Sequence, residues 1–334
     1  RSKLKVMIES ATAGVDTAAK RILESFVDVA FAATASNAAR DPRCSLALSF
    51  DPSKLLAAGC QRPSDHPSHH AVVPHGAIFV HSRRVGAFHV RFQRIARGGV
   101  RLVTPPTREA LNFERSRQFD ECYNLALAQQ LKNKDIPEGG SKAVLLVDAL
   151  AADGSDDDGD EGEGKNLHHY ACRQAVKAFT DGVLDLCLGS GPGSSSFDAA
   201  RRAAATKNAA TMAEGDVDEL RKEAVLALHD EHSDMDVLYL GPDEQILPED
   251  ITWVVDNAER RGHPTPDAFM SSKPNAGISH KEFGVTSEGV VVFVDAALRA
   301  AGKDPKNEPW TVKLTGGPDG DVGGNLIKFL ARDY

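Results

Sequence analysis

Glycines and basic residues occur side by side at two places in the chain. Residues 96–101 read Ala-Arg-Gly-Gly-Val-Arg, and residues 139–142 read Gly-Gly-Ser-Lys. A glycine has no side chain, so a small anion can approach the backbone and a neighbouring cation together. Several cations around one pocket suit a dicarboxylate and lower one another's pKa, which can prepare a lysine for proton transfer. Taken singly, each lysine is more simply explained as a solvated surface residue.

An acidic residue follows an apolar run in the last third of the chain. Asp243 comes directly after Gly241-Pro242, where a predicted strand over residues 236–240 ends. A carboxylate just past the end of a strand can carry protons to and from a substrate. Asp250 is the alternative for this role, although an acid at the start of a predicted helix is also explained by the helix dipole.

A glycine-rich segment follows the apolar run at residues 310–315 and precedes a predicted helix. Its spacing is Gly317-x-x-Gly320-x-x-Gly323, which departs from the strict Gly-x-Gly-x-x-Gly pattern of dinucleotide-binding turns. Such a turn lets backbone N–H groups approach a pyrophosphate at a helix N-terminus. The pattern alone leaves open a dinucleotide site or an ordinary tight turn. The acidic residue that separates NAD from NADP binding would fall beyond Tyr334, so these residues do not give the preference.

Composition and charge disfavour several classes of function. The formal net charge is -9, which argues against a general nucleic-acid surface. No run approaches the ~20 apolar residues that a membrane helix needs. Five cysteines without a Cys-x-x-Cys pair argue against disulfide frameworks and zinc knuckles. The histidines lack a metal-binding spacing, so no metal site is predicted.

Apolar periodicity predicts an α/β fold with two insertions. Residues 1–38 are expected to be largely helical, and further helices are expected at residues 114–131, 167–188, 217–229, 248–261, 289–301 and after the glycine loop. Strands are expected at residues 45–50, 76–81, 87–92, 143–148, 236–240 and 310–315. Gly139-Gly140 are predicted to form a turn. Low-complexity insertions are expected near residues 151–164, which are acidic and predicted to be disordered, and near residues 189–212.

Three segments and the glycine loop, taken together, resemble a known enzyme family. Residues 86–101, 132–142 and 277–287 are similar to the catalytic region of the large NAD-specific glutamate dehydrogenases, in the same order along the chain. The resemblance implies a substrate domain with a mixed sheet over residues 1–280, including an N-terminal helix. It also implies the truncated start of a Rossmann-type dinucleotide-binding domain over residues 281–334.

The resemblance implies a role for particular residues. Lys142 would activate water and stabilise charge on the carbinolamine, and Asp243 would shuttle protons. The substrate would be held by Arg97, Gly98, Gln129 and Lys132, with Lys132 on the α-carboxylate. The cofactor would be held by Thr286, near the nicotinamide, and by the turn residues Gly317, Gly320, Asp321, Val322 and Gly323. Lys134 or Gln130 could replace Lys132, because the two lysines are closer in sequence here than in smaller relatives.

The reaction implied by the resemblance is the reversible, NAD-dependent oxidation of L-glutamate to 2-oxoglutarate and ammonia, in the cytoplasm or the mitochondrial matrix. The implied partners are NAD, this small-molecule substrate and, in the full-length protein, further copies of the chain in a homo-oligomer, with no nucleic acid and no membrane. The 334-residue chain is expected to be an incomplete fragment and inactive alone. Two alternatives stay open: a dehydrogenase of another amino acid such as leucine or phenylalanine, and a non-catalytic scaffold that keeps the fold.

Overall fold

A computed structural model of the chain describes residues 2–11, 17–57, 72–132, 136, 138–150, 161–188, 237–263, 265–274, 283–315 and 321–334. These residues belong to two compact units, Arg1–Ser271 and Ser272–Tyr334. The predicted domain boundary at residue 280 and the predicted helix at residues 217–229 lie outside the described residues. So do the second predicted insertion and most of the first.

The first unit is built on one seven-stranded mixed sheet. Its strands are β1 (Ala33–Ser36), β2 (Leu46–Phe50), β3 (Gly76–Ser82), β4 (Val85–Arg91), β5 (Ile95–Val103), β6 (Gly139–Val147) and β7 (Val237–Pro242). Their order across the sheet is β1-β2-β3-β4-β6-β5-β7. The strand β5 pairs in parallel with β6 and β7, whereas the other pairings are antiparallel. The predicted α/β class with a mixed sheet is therefore confirmed.

Helices cover both faces of this sheet. They are α1 (Ser2–Ala11), α2 (Thr17–Ala32), α3 (Pro52–Ala57), α4 (Arg108–Gln130), α5 (Glu161–Cys187), α6 (Pro248–Arg260) and α7 (Pro266–Phe269). Cys122 and Ala126 of α4 share one buried core with Val144, whereas Phe179 of α5 shares the other with Leu145. Because side chains alternate along a strand, successive residues of β6 enter opposite cores.

The structure corrects several boundaries that periodicity predicted. Gly139 and Gly140 are the first residues of β6 and do not form a turn, because the strand continues in parallel pairing with β5. Residues 33–36 form β1 and not the end of a helix, since they pair with β2. The helix α5 begins at Glu161, inside the predicted acidic insertion. The helix α4 begins at Arg108 because the side chain of Thr107 caps it by accepting a hydrogen bond from a backbone N–H.

The second unit contains two helices among its described residues, α8 (Val285–Ala300) and α9 (Asp321–Asp333). They pack together, and Oγ of Ser287 donates a hydrogen bond to the carbonyl of Val322 at 2.8 Å. Residues 310–315 were predicted as a strand, and this prediction is wrong in the structure. A strand exists only where another strand pairs with it, and the described part of this unit offers none.

Candidate active site

Three neighbouring strands bring a glycine, a lysine and an aspartate together. Gly99 lies on β5, Lys142 lies on β6, and Asp243 lies in the turn that follows β7. A Cβ atom on Gly99 would lie 3.0 Å from Cβ of Asp243 and 3.1 Å from Nζ of Lys142. Gly99 therefore leaves the space in which the two charged side chains meet.

Lys142 and Asp243 form an ion pair between Nζ and Oδ2. Their side chains are 12% and 29% exposed, so the pair is largely buried but still reachable from solvent. The backbone N–H of Asp243 donates to the carbonyl of Val100 at 3.1 Å, which ties the turn to β5. An amine and a carboxylate in this arrangement can exchange protons with a bound substrate.

Arg101 and Glu121 extend the pair to a row of four alternating charges. Nε of Arg101 lies 3.5 Å from Oδ2 of Asp243, and its Nη1 lies 3.6 Å from Oε1 of Glu121 on α4. Burial raises the pKa of Asp243, but the hydrogen bond and charge of Lys142 and the charge of Arg101 outweigh burial, so the pKa lies below its ordinary value. Asp243 is therefore ionised at neutral pH.

The sequence groups Arg101 with the other basic residues beside the glycines but gives it no separate role, and it gives Glu121 none. The signal for Arg101 was its distance of two residues from Gly99, because alternate residues of a strand share a face. That signal can be used only if residues 95–103 are predicted to be a strand. Gly98 and Gly99 interrupt the apolar pattern of this segment, so the strand is not predicted from sequence. Glu121 carried no comparable signal, since its place opposite Arg101 depends on how α4 packs on the sheet.

The helix α4 lies against the strand that carries Lys142. The thiol of Cys122 lies 3.3 Å from the carbonyl oxygen of Lys142 and 3.4 Å from a carbonyl oxygen of β4. The backbone N–H of Gly140 donates to Oε1 of Gln130 at 2.7 Å. A Cβ atom on Gly140 would lie 2.0 Å from the backbone nitrogen of Gln130, so a glycine is required where β6 meets the end of α4.

The predicted substrate-binding residues lie around the two glycine pairs. Arg97 lies two residues before Gly99 on the same face of β5, and its Nη2 is 2.9 Å from Oε1 of Glu138. Gly98 belongs to the opposite face, where a Cβ atom would lie 1.7 Å from the carbonyl oxygen of Ser141. Gly98 therefore serves the close packing of β5 against β6.

The end of α4 places the two remaining substrate-binding candidates. Gln129 is half-buried. Its backbone carbonyl carbon would lie 2.5 Å from a Cβ atom on Gly140, and Gly140 precedes Lys142 by two residues. Lys132 is exposed in the turn that follows α4. Its competitor Lys134 lies outside the described residues. The other competitor, Gln130, uses its side chain to hold Gly140.

Asp250, the alternative proton shuttle, occupies a different environment. It is the third residue of α6, and its Oδ2 accepts the backbone N–H of Leu247 at 2.9 Å and pairs with Nη1 of Arg173 on α5. Nη2 of Arg173 donates to the carbonyl of Gln245 at 2.7 Å. Burial raises the pKa of Asp250 by more than the Leu247 N–H and the charge of Arg173 lower it. Asp250 therefore caps α6 and joins it to α5, on the side of the sheet away from α4.

The predicted cofactor-binding residues belong to the second unit. Thr286 is exposed in the first turn of α8, and Asp321, Val322 and Gly323 begin α9. Gly323 is buried. Gly317 and Gly320 lie outside the described residues.

Metal ligands and membrane helices can be assessed for the described part of the chain. There, no group of three or more His, Cys, Asp or Glu side chains is placed to hold a metal ion. Within the same residues, no helix is long and apolar enough to cross a membrane. One histidine, His89, is fully buried, and its burial and the charge of Arg91 lower its pKa to about 3.

Curated proteins and a solved structure are similar to this chain. A NAD-specific glutamate dehydrogenase of Neurospora crassa is 33% identical over 289 residues, which are 85% of this chain and 23% of the relative. One of Saccharomyces cerevisiae is 30% identical over 256 residues, 76% of this chain and 19% of the relative. A solved glutamate dehydrogenase of Peptoniphilus asaccharolyticus is 16% identical with a TM-score of 0.40, covering 98% of this chain and 55% of that chain.

The chain thus spans less than a quarter of the length of these curated relatives. Residues 9–189 match the model of a family described as bacterial NAD-glutamate dehydrogenase, catalytic domain. The matched span is more than half of the chain, and it contains Gly99, Glu121 and Lys142. On this evidence the chain belongs to the catalytic-domain family of the NAD-dependent glutamate dehydrogenases.

Proposed function

We propose that the chain carries the substrate site of an enzyme that oxidises L-glutamate with NAD to 2-oxoglutarate and ammonia, in a reversible reaction. The observation that carries the proposal is the ion pair of Lys142 with Asp243 in the space beside Gly99. Family membership supports it, because the relatives are named NAD-specific glutamate dehydrogenases.

Lys142 and Asp243 would divide the proton transfers between them. Oxidation converts the substrate amine to an imine, which water attacks to form a carbinolamine. Lys142 activates this water and stabilises charge on the carbinolamine, while the ionised Asp243 accepts a proton and returns it to the departing ammonia. Bound NAD would supply the acceptor for the hydride of the substrate Cα. The partial burial of both side chains strengthens these charge interactions compared with water.

Arg97 would hold the distal carboxylate of the substrate. Its planar guanidinium matches a carboxylate, and it shares a face of β5 with Gly99. Residues two apart on a strand are separated by about 7 Å, so Arg97 lies about 7 Å along β5 from Gly99, beside which Lys142 and Asp243 meet. Lys132 is proposed to hold the α-carboxylate, with Gln129 beside it.

The second unit is proposed to begin a Rossmann-type domain that binds NAD. Thr286 would lie near the nicotinamide, and the residues at the pyrophosphate would be Gly317, Gly320, Asp321, Val322 and Gly323. The support for this proposal is the buried glycine at the start of α9. Assembly into a homo-oligomer and a location in the cytoplasm or the mitochondrial matrix stay predictions.

Calorimetric titration of the 334-residue chain tests the substrate class. We expect 2-oxoglutarate to bind at least about tenfold more tightly than the oxo acid of leucine, because only a dicarboxylate pairs with Arg97. Tighter binding of the leucine oxo acid would favour a leucine dehydrogenase, and binding of neither would favour a scaffold.

A further inference from the structure

Glu138 pairs with the guanidinium of Arg97, which the proposed function assigns to the distal carboxylate of the substrate. Oε1 of Glu138 lies 2.9 Å from Nη2 of Arg97. The Glu138 side chain is 9% exposed, whereas that of Arg97 is 45% exposed. The buried partner of this pair is therefore the carboxylate, and the cation is the partner that faces solvent.

The position of Glu138 is set by the strand that follows it. Glu138 directly precedes β6, whose first residues are fixed because Gly140 fits tightly against the backbone of Gln130 at the end of α4. A carboxylate at such a fixed point loses little further freedom when it pairs with a cation. The contact with Arg97 therefore differs from a pair of two long, solvated surface side chains.

Glu138 presents the same chemical group as the distal end of glutamate or 2-oxoglutarate. A second carboxylate that approaches Arg97 must either displace Glu138 or lie close to it, and two nearby carboxylates repel each other. In both cases Glu138 weakens the binding of a dicarboxylate. A substrate without a distal carboxylate does not meet this competition.

We propose that Glu138 is a specificity-determining residue, which competes with the distal carboxylate of the substrate for Arg97. The proposal rests on the proposed function, because it takes Arg97 as the group that holds that carboxylate. Glu138 thereby reduces the preference for dicarboxylates over monocarboxylates that Arg97 alone would give.

Calorimetric titration of the chain and of its Glu138→Gln variant tests this competition. Glutamine keeps the shape of glutamate and removes its charge. We expect the variant to bind 2-oxoglutarate roughly threefold to tenfold more tightly, with unchanged affinity for the oxo acid of leucine. The matched control is Glu114→Gln, which removes a carboxylate that pairs with Arg117 on α4, and it should leave both affinities unchanged.

A second pair of variants keeps the test decisive. In an Arg97→Gln background, Glu138→Gln should no longer change the affinity for 2-oxoglutarate, because the shared cation is gone. An unchanged affinity in Glu138→Gln, or an equal gain in both backgrounds, would overturn the competition. If Arg97→Gln weakens 2-oxoglutarate while Glu138→Gln has no effect, only this inference fails. If neither the chain nor Glu138→Gln binds 2-oxoglutarate, both this inference and the proposed function fail.

Discussion

The chain from β7 into α6 carries two ion pairs that differ in their surroundings. Asp243 pairs with Lys142 beside Gly99 and keeps 29% of its side chain exposed. Asp250 pairs with Arg173, is only 3% exposed, and also accepts a hydrogen bond from the backbone N–H of Leu247 at the start of α6. The first carboxylate borders a space that a glycine leaves open, whereas the second is enclosed by a guanidinium and backbone.

This difference explains why the two pKa values move in opposite directions. Two cations, Lys142 and Arg101, outweigh the effect of burial at Asp243 and lower its pKa, whereas burial prevails at Asp250 and raises its pKa. A proton shuttle has to be ionised and accessible to the substrate. A helix cap only has to accept a hydrogen bond from the backbone. Two aspartates seven residues apart can thus serve chemistry and architecture separately, which variants at each pair can test.

Lys142→Ala should produce the largest effect, and on activity alone. We expect turnover of the active enzyme to fall by about 10³-fold or more, because acid–base groups contribute up to about 10⁴-fold. The free energy of unfolding, measured with urea, should change by less than about 1 kcal/mol, since Arg101 remains beside Asp243. Retained turnover would show that the lysine is misassigned.

Arg173→Met should show the reverse pattern, with a loss of stability. Removing the guanidinium leaves Asp250 buried and unpaired, which should lower the free energy of unfolding by about 3 kcal/mol. Arg117→Met is the control, because its partner Glu114 forms a surface pair at 3.1 Å, and it should cost less than about 1 kcal/mol. Urea unfolding of both variants gives the comparison, and equal losses would contradict it.

Arg101→Met should raise the pKa of Asp243, because it removes one of the two cations that keep the carboxylate ionised. Arg101→Lys retains the charge and should largely restore the low pKa. Carboxyl NMR titration of both variants measures these changes, with Asp250 as an internal reference that should not move. An unchanged Asp243 pKa in Arg101→Met would mean that Lys142 alone sets it.

The smallest expected effect is a difference in how the two aspartates respond to pH. The folded pKa of Asp243 is below 3.8, so its contribution to stability is present above that pH and is lost as the pH falls through the folded pKa. The folded pKa of Asp250 is above 3.8, so the cost of burying its charge disappears as the pH falls toward 3.8. Asp243→Asn and Asp250→Asn should therefore change the slope of unfolding free energy against pH in opposite senses. Slopes that change alike would remove the distinction.

Most of the sheet could be predicted from sequence, because β2, β3, β4 and the later part of β6 are apolar runs with β-branched and aromatic residues. The strand β5 could not, since Arg97, Gly98 and Gly99 break its pattern. A Cβ atom on Gly98 would overlap the backbone of Ser141, and one on Gly99 would crowd Asp243 and Lys142, so both glycines answer tertiary constraints.

The candidate site was reached by resemblance more than by pattern. Lys142 and Asp243 are 101 positions apart in sequence, and only the parallel pairing of β5 with β6 and β7 brings them together. Glu121 and Glu138 were missed for the same reason. Each shows its role only through the cation opposite it, Arg101 or Arg97.

The burial of Cys122 has a consequence for measuring motion at the site. Its thiol lies between α4 and β6, and burial raises its pKa to about 12. The thiolate is the reactive form, and in the closed structure Cys122 is both protonated and covered. A thiol reagent therefore reacts with Cys122 only when α4 separates from the strand that carries Lys142. Cys44 is exposed and needs no such opening. The labelling rate of Cys122 relative to Cys44 thus reports how often this helix lifts from the sheet.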